Sequence, residues 1–129
     1  MKFKKLLILI ERYLPLILMS VFIFIQSSKR AVVVLYNGDV NFLAHKLAHV
    51  FVYSLLFLSA VRAFKNLNHA LVFTILYAIS DEYHQIFVQT RTASLRDVLI
   101  DAISASILYV LLKKYYKKLP LVLKSFLDL

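Results

Sequence analysis

Ser80-Asp81-Glu82-Tyr83-His84-Gln85-Ile86-Phe87, followed at short intervals by Arg91, Ser94, Arg96, Asp97 and Asp101, lies in the seam between two strongly apolar runs. The chain has seven Asp and Glu in all, and Asp81, Glu82, Asp97 and Asp101 fall here. Charge inside a bilayer is costly, about 3 kcal/mol for an Asp at a helix centre, so carboxylates next to apolar spans mark functional-site candidates. The surrounding sequence decides what these serve.

Outward from the seam, 61% of the 129 residues are hydrophobic, with one Gly and two Pro. That leaves too little polar surface to cover a soluble core, so an integral membrane protein is expected. The absence of cysteine excludes disulfides and thiolate metal sites. A formal charge of +9 is compatible with nucleic acid, but Lys and Arg cluster at the ends of apolar runs and form no groove-reading surface. Membrane lipids with anionic headgroups are the expected partners, and nucleic acid is not.

Four apolar segments approach the roughly 17 to 25 residues of a spanning helix. The first runs from Leu6 or Tyr13 to Ile25, interrupted by Glu11 and Arg12 and carrying Pro15, which either starts the helix or kinks a longer one. The others cover Lys46 to Phe64, His69 to Val88 and Asp97 to Leu112. Asn37-Gly38-Asp39 and Asn66-Leu67-Asn68 read as the connecting turns. Met1 to Ile10 has a basic start and an apolar run without a small-residue cleavage site, so it reads as retained.

With four spans, both termini share a side. That side holds Lys2, Lys4, Lys5, Arg12, Arg62, Lys65, Lys113, Lys114, Lys117, Lys118 and Lys124, eleven cations against five (Lys29, Arg30, Lys46, Arg91 and Arg96). The excess predicts cytoplasmic termini and a seam facing outward. The expected fold is thus an all-α, single-domain bundle of four transmembrane helices in the plasma membrane. A short amphipathic C-terminal segment follows, broken by Pro120 and alternating Lys with Leu, Val and Phe over residues 113–129, as an interfacial segment on an anionic leaflet does.

Helical spacing gathers polar stripes at the seam. Lys46, His49 and Tyr53 share one face of the second helix; Ala78, Glu82 and Gln85 share one of the third; Asp97, Asp101 and Ser104 share one of the fourth. Asp81 and His84 point to a neighbouring face and read as rim residues at the water interface. Tyr36, Tyr77, Tyr83, Tyr109, Tyr115 and Tyr116 read as an aromatic belt near span ends.

The order Lys46-x-x-His49-x-x-x-Tyr53, Glu82-x-x-Gln85, Arg91, then Asp97 and Asp101, resembles the VanZ-like family, membrane proteins named for teicoplanin resistance. Ser27-Ser28, Ala48-His49, Asp81-Glu82-Tyr83-His84-Gln85-Ile86-Phe87-Val88 and Asp97-Val98-Leu99-Ile100-Asp101 are similar to its further blocks, so the resemblance covers roughly Met19 to Ser106. His45 stands where that family has a basic residue, usually Arg, and Gln89-Thr90 where it has Pro-Gly. Phe57, Ser104 and Leu108 replace its helix glycines, leaving close packing to Ala102, Ser104, Ala105 and Ser106. The resemblance implies a bacterial envelope protein linked to reduced susceptibility to lipid-tailed glycopeptides.

From the residues themselves, Lys46, Tyr53, Gln85, Arg91, Asp97 and Asp101 form a candidate binding set for an anionic headgroup or the phosphate of a lipid-linked cell-wall precursor. Glu82 and His49 are the candidate acid–base pair. Structural alternatives stand beside each. Ser94 and Asp97 fit a capping box, Glu82 and Arg91 a structural ion pair, and His49 plain interhelix hydrogen bonding. His45 and His49 have metal-ligand spacing without a third ligand, and no metal or other cofactor is expected. Three functions fit: a headgroup-binding envelope protein, a hydrolase or transferase of a lipid-linked phosphate, and a small proton-coupled exporter, which wants its carboxylate nearer the midplane. A bundle this small also suits a homo-oligomer.

Overall fold

The computed structural model describes residues 2–29, 38–89, 91 and 93–129; Met1, Arg30, Tyr36, Asn37 and Thr90 of the sequence reading lie outside the described residues. The described chain is helical throughout: α1 (Lys2–Ser27), α2 (Gly38–Phe64), α3 (Leu67–Gln85), α4 (Leu95–Tyr115), a 3-10 turn (Tyr116–Lys118) and α5 (Leu121–Leu127). The expected all-α class holds. The four long helices alternate in direction, because Arg12 of α1 meets Ala63 near the end of α2, Ser28 meets His84 near the end of α3, and Lys46 meets Asp97 at the start of α4. α2 is the central helix and packs against each of the others.

The core is built from size complementarity. Tyr53, Leu56, Phe57 and Val61 of α2 are fully or almost fully buried against Ala70, Thr74 and Ala78 of α3 and Ser104 and Ala105 of α4. Small residues at every fourth position of α3 let its backbone approach α2, and Phe57 is fully buried in the same cluster as Ala70 and Ala78. Among the four small residues expected to pack α4, Ser104 and Ala105 are buried while Ala102 and Ser106 are half-buried.

The outward faces are apolar. Val72, Leu76 and Ile79 on α3, and Leu99, Ile103, Ile107 and Val110 on α4, are exposed along their helices, while the acids of both helices turn inward. Water does not select such an arrangement and lipid does. α1 over Leu6–Ser27 and α2 over Phe42–Phe64 are long and apolar enough to cross a membrane. α3 and α4, at 19 and 21 residues, have a span's length, but their acids lower their apolarity.

Two sequence expectations change at the helix ends. α2 starts at Gly38, eight residues before Lys46, so Gly38 and Asp39 open the helix instead of turning the chain. No breaker lies between them and Lys46, and an acid near a helix N-terminus favours the start. α1 runs through Pro15 and does not start there. Proline has no N–H to give the carbonyl four residues back. That carbonyl belongs to Glu11, and Arg62 Nε of α2 donates to it over 3.5 Å. Arg12 Nε reciprocates with a 2.6 Å bond to the Ala63 carbonyl, in the last turn of α2 where intrahelical donors run out.

The C-terminal segment folds back onto the same end. Leu127 is buried, Arg62 Nη1 donates to the Phe126 carbonyl at 2.6 Å with its guanidinium over the Phe126 ring, and Tyr116 hydrogen-bonds Leu129. Lys65 and Asp128, the residues ending α2 and α5, both have left-handed backbone (φ 52° and 48°) and form an ion pair. Tyr77, expected in an aromatic belt, instead lies mid-helix in α3, where its hydroxyl donates to the Ser20 carbonyl at 2.6 Å and ties α3 to α1.

Arg12→Ala removes the donor to Ala63 and is expected to lower unfolding free energy by about 1–3 kcal/mol, measured by denaturation in mild detergent. The Lys65 ammonium holds the Asp128 carboxyl below the ordinary carboxylate range. A lowered carboxyl stabilises above its unfolded pKa and loses that contribution as pH falls through its folded pKa. The protection of amides in residues 121–127, relative to their intrinsic exchange at each pH, is therefore expected to fall as pH drops below about 4, and Asp128→Asn to remove that dependence.

Candidate functional site

At the other end of the bundle, each seam carboxylate is held by a donor from elsewhere in the chain. Asp97, in the first turn of α4, forms an ion pair with Lys46 of α2. One turn further in, Asp101 is 1% exposed and its two oxygens lie 3.3 and 3.2 Å from His49 Nδ1. The rungs are parallel because Lys46 and His49 sit three apart on α2 and Asp97 and Asp101 four apart on α4. On α3, buried Asp81 accepts from the Tyr53 hydroxyl at 3.2 Å and from Gln85 Nε2 at 3.1 Å. Gln85 Nε2 also lies 3.3 Å from Glu82 Oε1. The His49 and Tyr53 rings lie nearly parallel, 6.1 Å apart, so the rungs continue into one polar column on α2.

Three of the structural alternatives resolve differently from the sequence reading. Ser94 stands at the N-cap of α4, yet its side chain makes no capping bond. Its own N–H donates to Glu82 Oε2 of α3 at 2.8 Å, the role that Asp97 plays in a capping box. Glu82 thus starts α4 from a neighbouring helix and leaves Asp97 free for Lys46. Nor does Glu82 pair with Arg91. The guanidinium donates to the carbonyls of Lys29 (3.2 Å) and Gln26 (3.3 Å), satisfying the C-terminal end of α1. Asp81 is buried rather than at the rim, because the small-residue stripe Ala70, Thr74, Ala78 drifts around α3 and brings both Asp81 and Glu82 inward. His84 is half-buried, with Nε2 3.0 Å from Ser28 Oγ and its ring against Phe24.

Between α1, α2 and α3 a cavity of about 410 Å³ opens at this end. Phe22, Ile23, Ala48 and Val52 make its apolar walls; Gln26, Ser27, Lys29, His45, His49, Tyr53, Asp81, Gln85 and Arg91 make its polar lining. The eight candidate residues therefore divide. His49, Tyr53, Gln85 and Arg91 face the cavity, whereas Lys46, Asp97, Asp101 and Glu82 are spent on joining helices. His49 and Tyr53 belong to both groups: Asp81 accepts from the Tyr53 hydroxyl, and Asp101 holds His49 Nδ1, so Nε2 is the nitrogen left for a ligand.

Sequence reasoning missed Lys29, Gln26 and Asp81 as cavity residues. The interval of four from Asp81 to Gln85 was a signal for Asp81; Lys29 and Gln26 carried none, since only the packing of α1 brings them there. His45 and His49 both line the cavity, and no group of three or more His, Cys, Asp or Glu converges on a metal site among the described residues. Arg91 makes no ion pair among the described residues.

A family model described as VanZ/LLP1 matches residues 7–117. No curated protein and no solved structure matches the chain.

Removing one partner of a buried pair strands the other, at about 3–5 kcal/mol. Asp101→Ala is expected to destabilise the bundle by that order. In a double-mutant cycle with His49→Phe, the two losses are expected to fall short of additivity by about 1–3 kcal/mol; additive losses would show that the two side chains do not interact.

Proposed function

The chain belongs to the VanZ/LLP1 family and is a membrane protein. From that premise we propose that it is a four-span plasma-membrane protein of the bacterial envelope with cytoplasmic termini. Its outward cavity binds a phosphate-bearing headgroup, that of a membrane lipid or of a lipid-linked wall precursor, and glycopeptide (teicoplanin) resistance follows from that binding.

One observation carries the reading: Arg91, whose guanidinium among the described residues has backbone carbonyls and no carboxylate as partners, lines a half-open cavity with apolar walls. Such a fork matches phosphate oxygens in geometry and charge. Lys29 and His45 add positive or ionisable groups on the same side, and Gln85 supplies an amide. A volume near 410 Å³ suits a headgroup and the first carbons of its tail. The inward acids and outward apolar faces of α3 and α4 support four spans, and the excess of Lys and Arg at the opposite end supports the orientation.

A second reading, hydrolysis or transfer at the bound phosphate, is favoured by the Asp101–His49 pair. An imidazole that lines a ligand cavity, with one nitrogen held by a buried carboxylate and the other left for a ligand, suits a general base. Glu82 is occupied by the Ser94 N–H and by Gln85 and does not line the cavity, so His49 is the stronger acid–base candidate. The exporter reading is disfavoured, since all four seam carboxylates lie within about two turns of a helix end.

In nanodiscs, a lipid phosphomonoester and a diphosphate-linked wall precursor are expected to bind in preference to phosphatidylcholine. Arg91→Ala is expected to weaken them at least tenfold, about 1.4 kcal/mol, with Arg91→Lys intermediate; because Arg91→Ala also removes a tie to α1, affinity is read below its lowered melting temperature, where the variant is folded. Binding that ignores both variants contradicts the proposal. Product formation from either lipid, lost in His49→Asn while binding persists, selects the catalytic reading.

A further inference from the structure

The end of the bundle opposite the cavity carries an apolar face that nothing in the described chain covers. Leu121 and Val122 are 82% and 80% exposed, the most exposed large hydrophobic residues among those described. They occupy the first turn of α5, and the other side of that helix is fixed by Leu127, Arg62 and the Lys65–Asp128 pair. The face is therefore presented at a set angle. Lys113, Lys114, Lys117 and Lys118 precede it within nine residues and are all exposed.

A second observation at the same end points to what covers it. Arg12 reaches the last turn of α2, so the part of α1 before it runs past the end of the neighbouring helix. That part includes Leu6 to Ile10, each 44–56% exposed. Two apolar surfaces thus project beyond the packed bundle where α2 and α4 end, both beside lysines. A membrane-water boundary supplies an apolar layer and an anionic layer in this order. A soluble partner would need to match both surfaces.

We infer that α5 and the preceding lysines form a membrane-surface anchor, with Leu121 and Val122 inserted at the acyl boundary and the lysines on anionic headgroups of the leaflet at that end. The inference is independent of what the cavity binds. Docking of α5 onto Arg62 and Lys65 couples this anchor to the end of α2, whose start carries the Lys46 and His49 rungs.

The absence of cysteine allows a direct test with the full-length protein in nanodiscs. Leu121→Cys and Val122→Cys are reacted with a water-soluble maleimide and compared with a cysteine appended after Leu129. With phosphatidylglycerol present, both are expected to label at least tenfold slower than the appended cysteine. In phosphatidylcholine alone, or with Lys117→Gln and Lys118→Gln added, that protection is expected to shrink at least threefold. Equal labelling at all three positions in anionic nanodiscs would overturn the inference. So would protection that ignores lipid charge, or protection that persists in detergent and grows with protein concentration, which assigns the face to a second copy.

Discussion

A carboxylate carried into a helix bundle without bulk water must take its hydrogen bonds from another helix, and the upper half of this protein is arranged around that requirement. Asp97 takes Lys46, Asp101 takes His49, Asp81 takes Tyr53 and Gln85, and Glu82 takes the first N–H of α4. Each bond crosses between helices except that from Gln85 to Asp81 within α3. The acids fix the register of α2, α3 and α4 at the end where their small-residue packing gives way to polar residues. Arginines perform the complementary task for carbonyls: Arg12 donates to Ala63 at the end of α2, Arg62 to Glu11 where Pro15 has no N–H to give, and Arg91 adds donors to Gln26 and Lys29 where α1 ends.

This division leaves α1 apart. α2, α3 and α4 share the buried acids, whereas α1 is attached by Arg12 and Arg62 at one end, by Tyr77 in the middle, and by Arg91 and His84 at the other. Its remaining face against α2 is apolar and incompletely filled, which opens the cavity. Site chemistry and helix-joining chemistry therefore share one small region and some of the same residues. His49, held by Asp101, and Tyr53, bonded to Asp81, take part in both.

Much of the architecture was legible in the sequence, because periodicity and charge placement act locally. The four long helices and the convergence of polar stripes from α2, α3 and α4 at one end followed from hydropathy and spacing, and the family from the resemblance of its ordered motifs. What failed depended on three-dimensional neighbours. Asp81 looked peripheral because a single face was assumed for α3, whereas the stripe drifts and buries adjacent positions. Glu82 and Arg91 looked like partners because their charges are opposite and near in sequence; each instead satisfies a helix end. Gly38-Asp39 looked like a turn because the composition of a turn and of a helix start overlap. The contribution of Lys29 and Gln26 depends on how α1 lies against α2, which no local pattern encodes.

On the proposed reading a phosphate-bearing lipid occupies the space between α1, α2 and α3 with its headgroup at Arg91. A photoactivatable lipid phosphate can be cross-linked in nanodiscs and its adducts mapped by mass spectrometry. Modification is expected to concentrate on Phe22, Ile23 and Val52, and to be competed by unlabelled lipid phosphate but not by phosphatidylcholine. Labels distributed over the outward faces, at Ile79, Ile107 and Val110 as often as in the cavity, would contradict that reading.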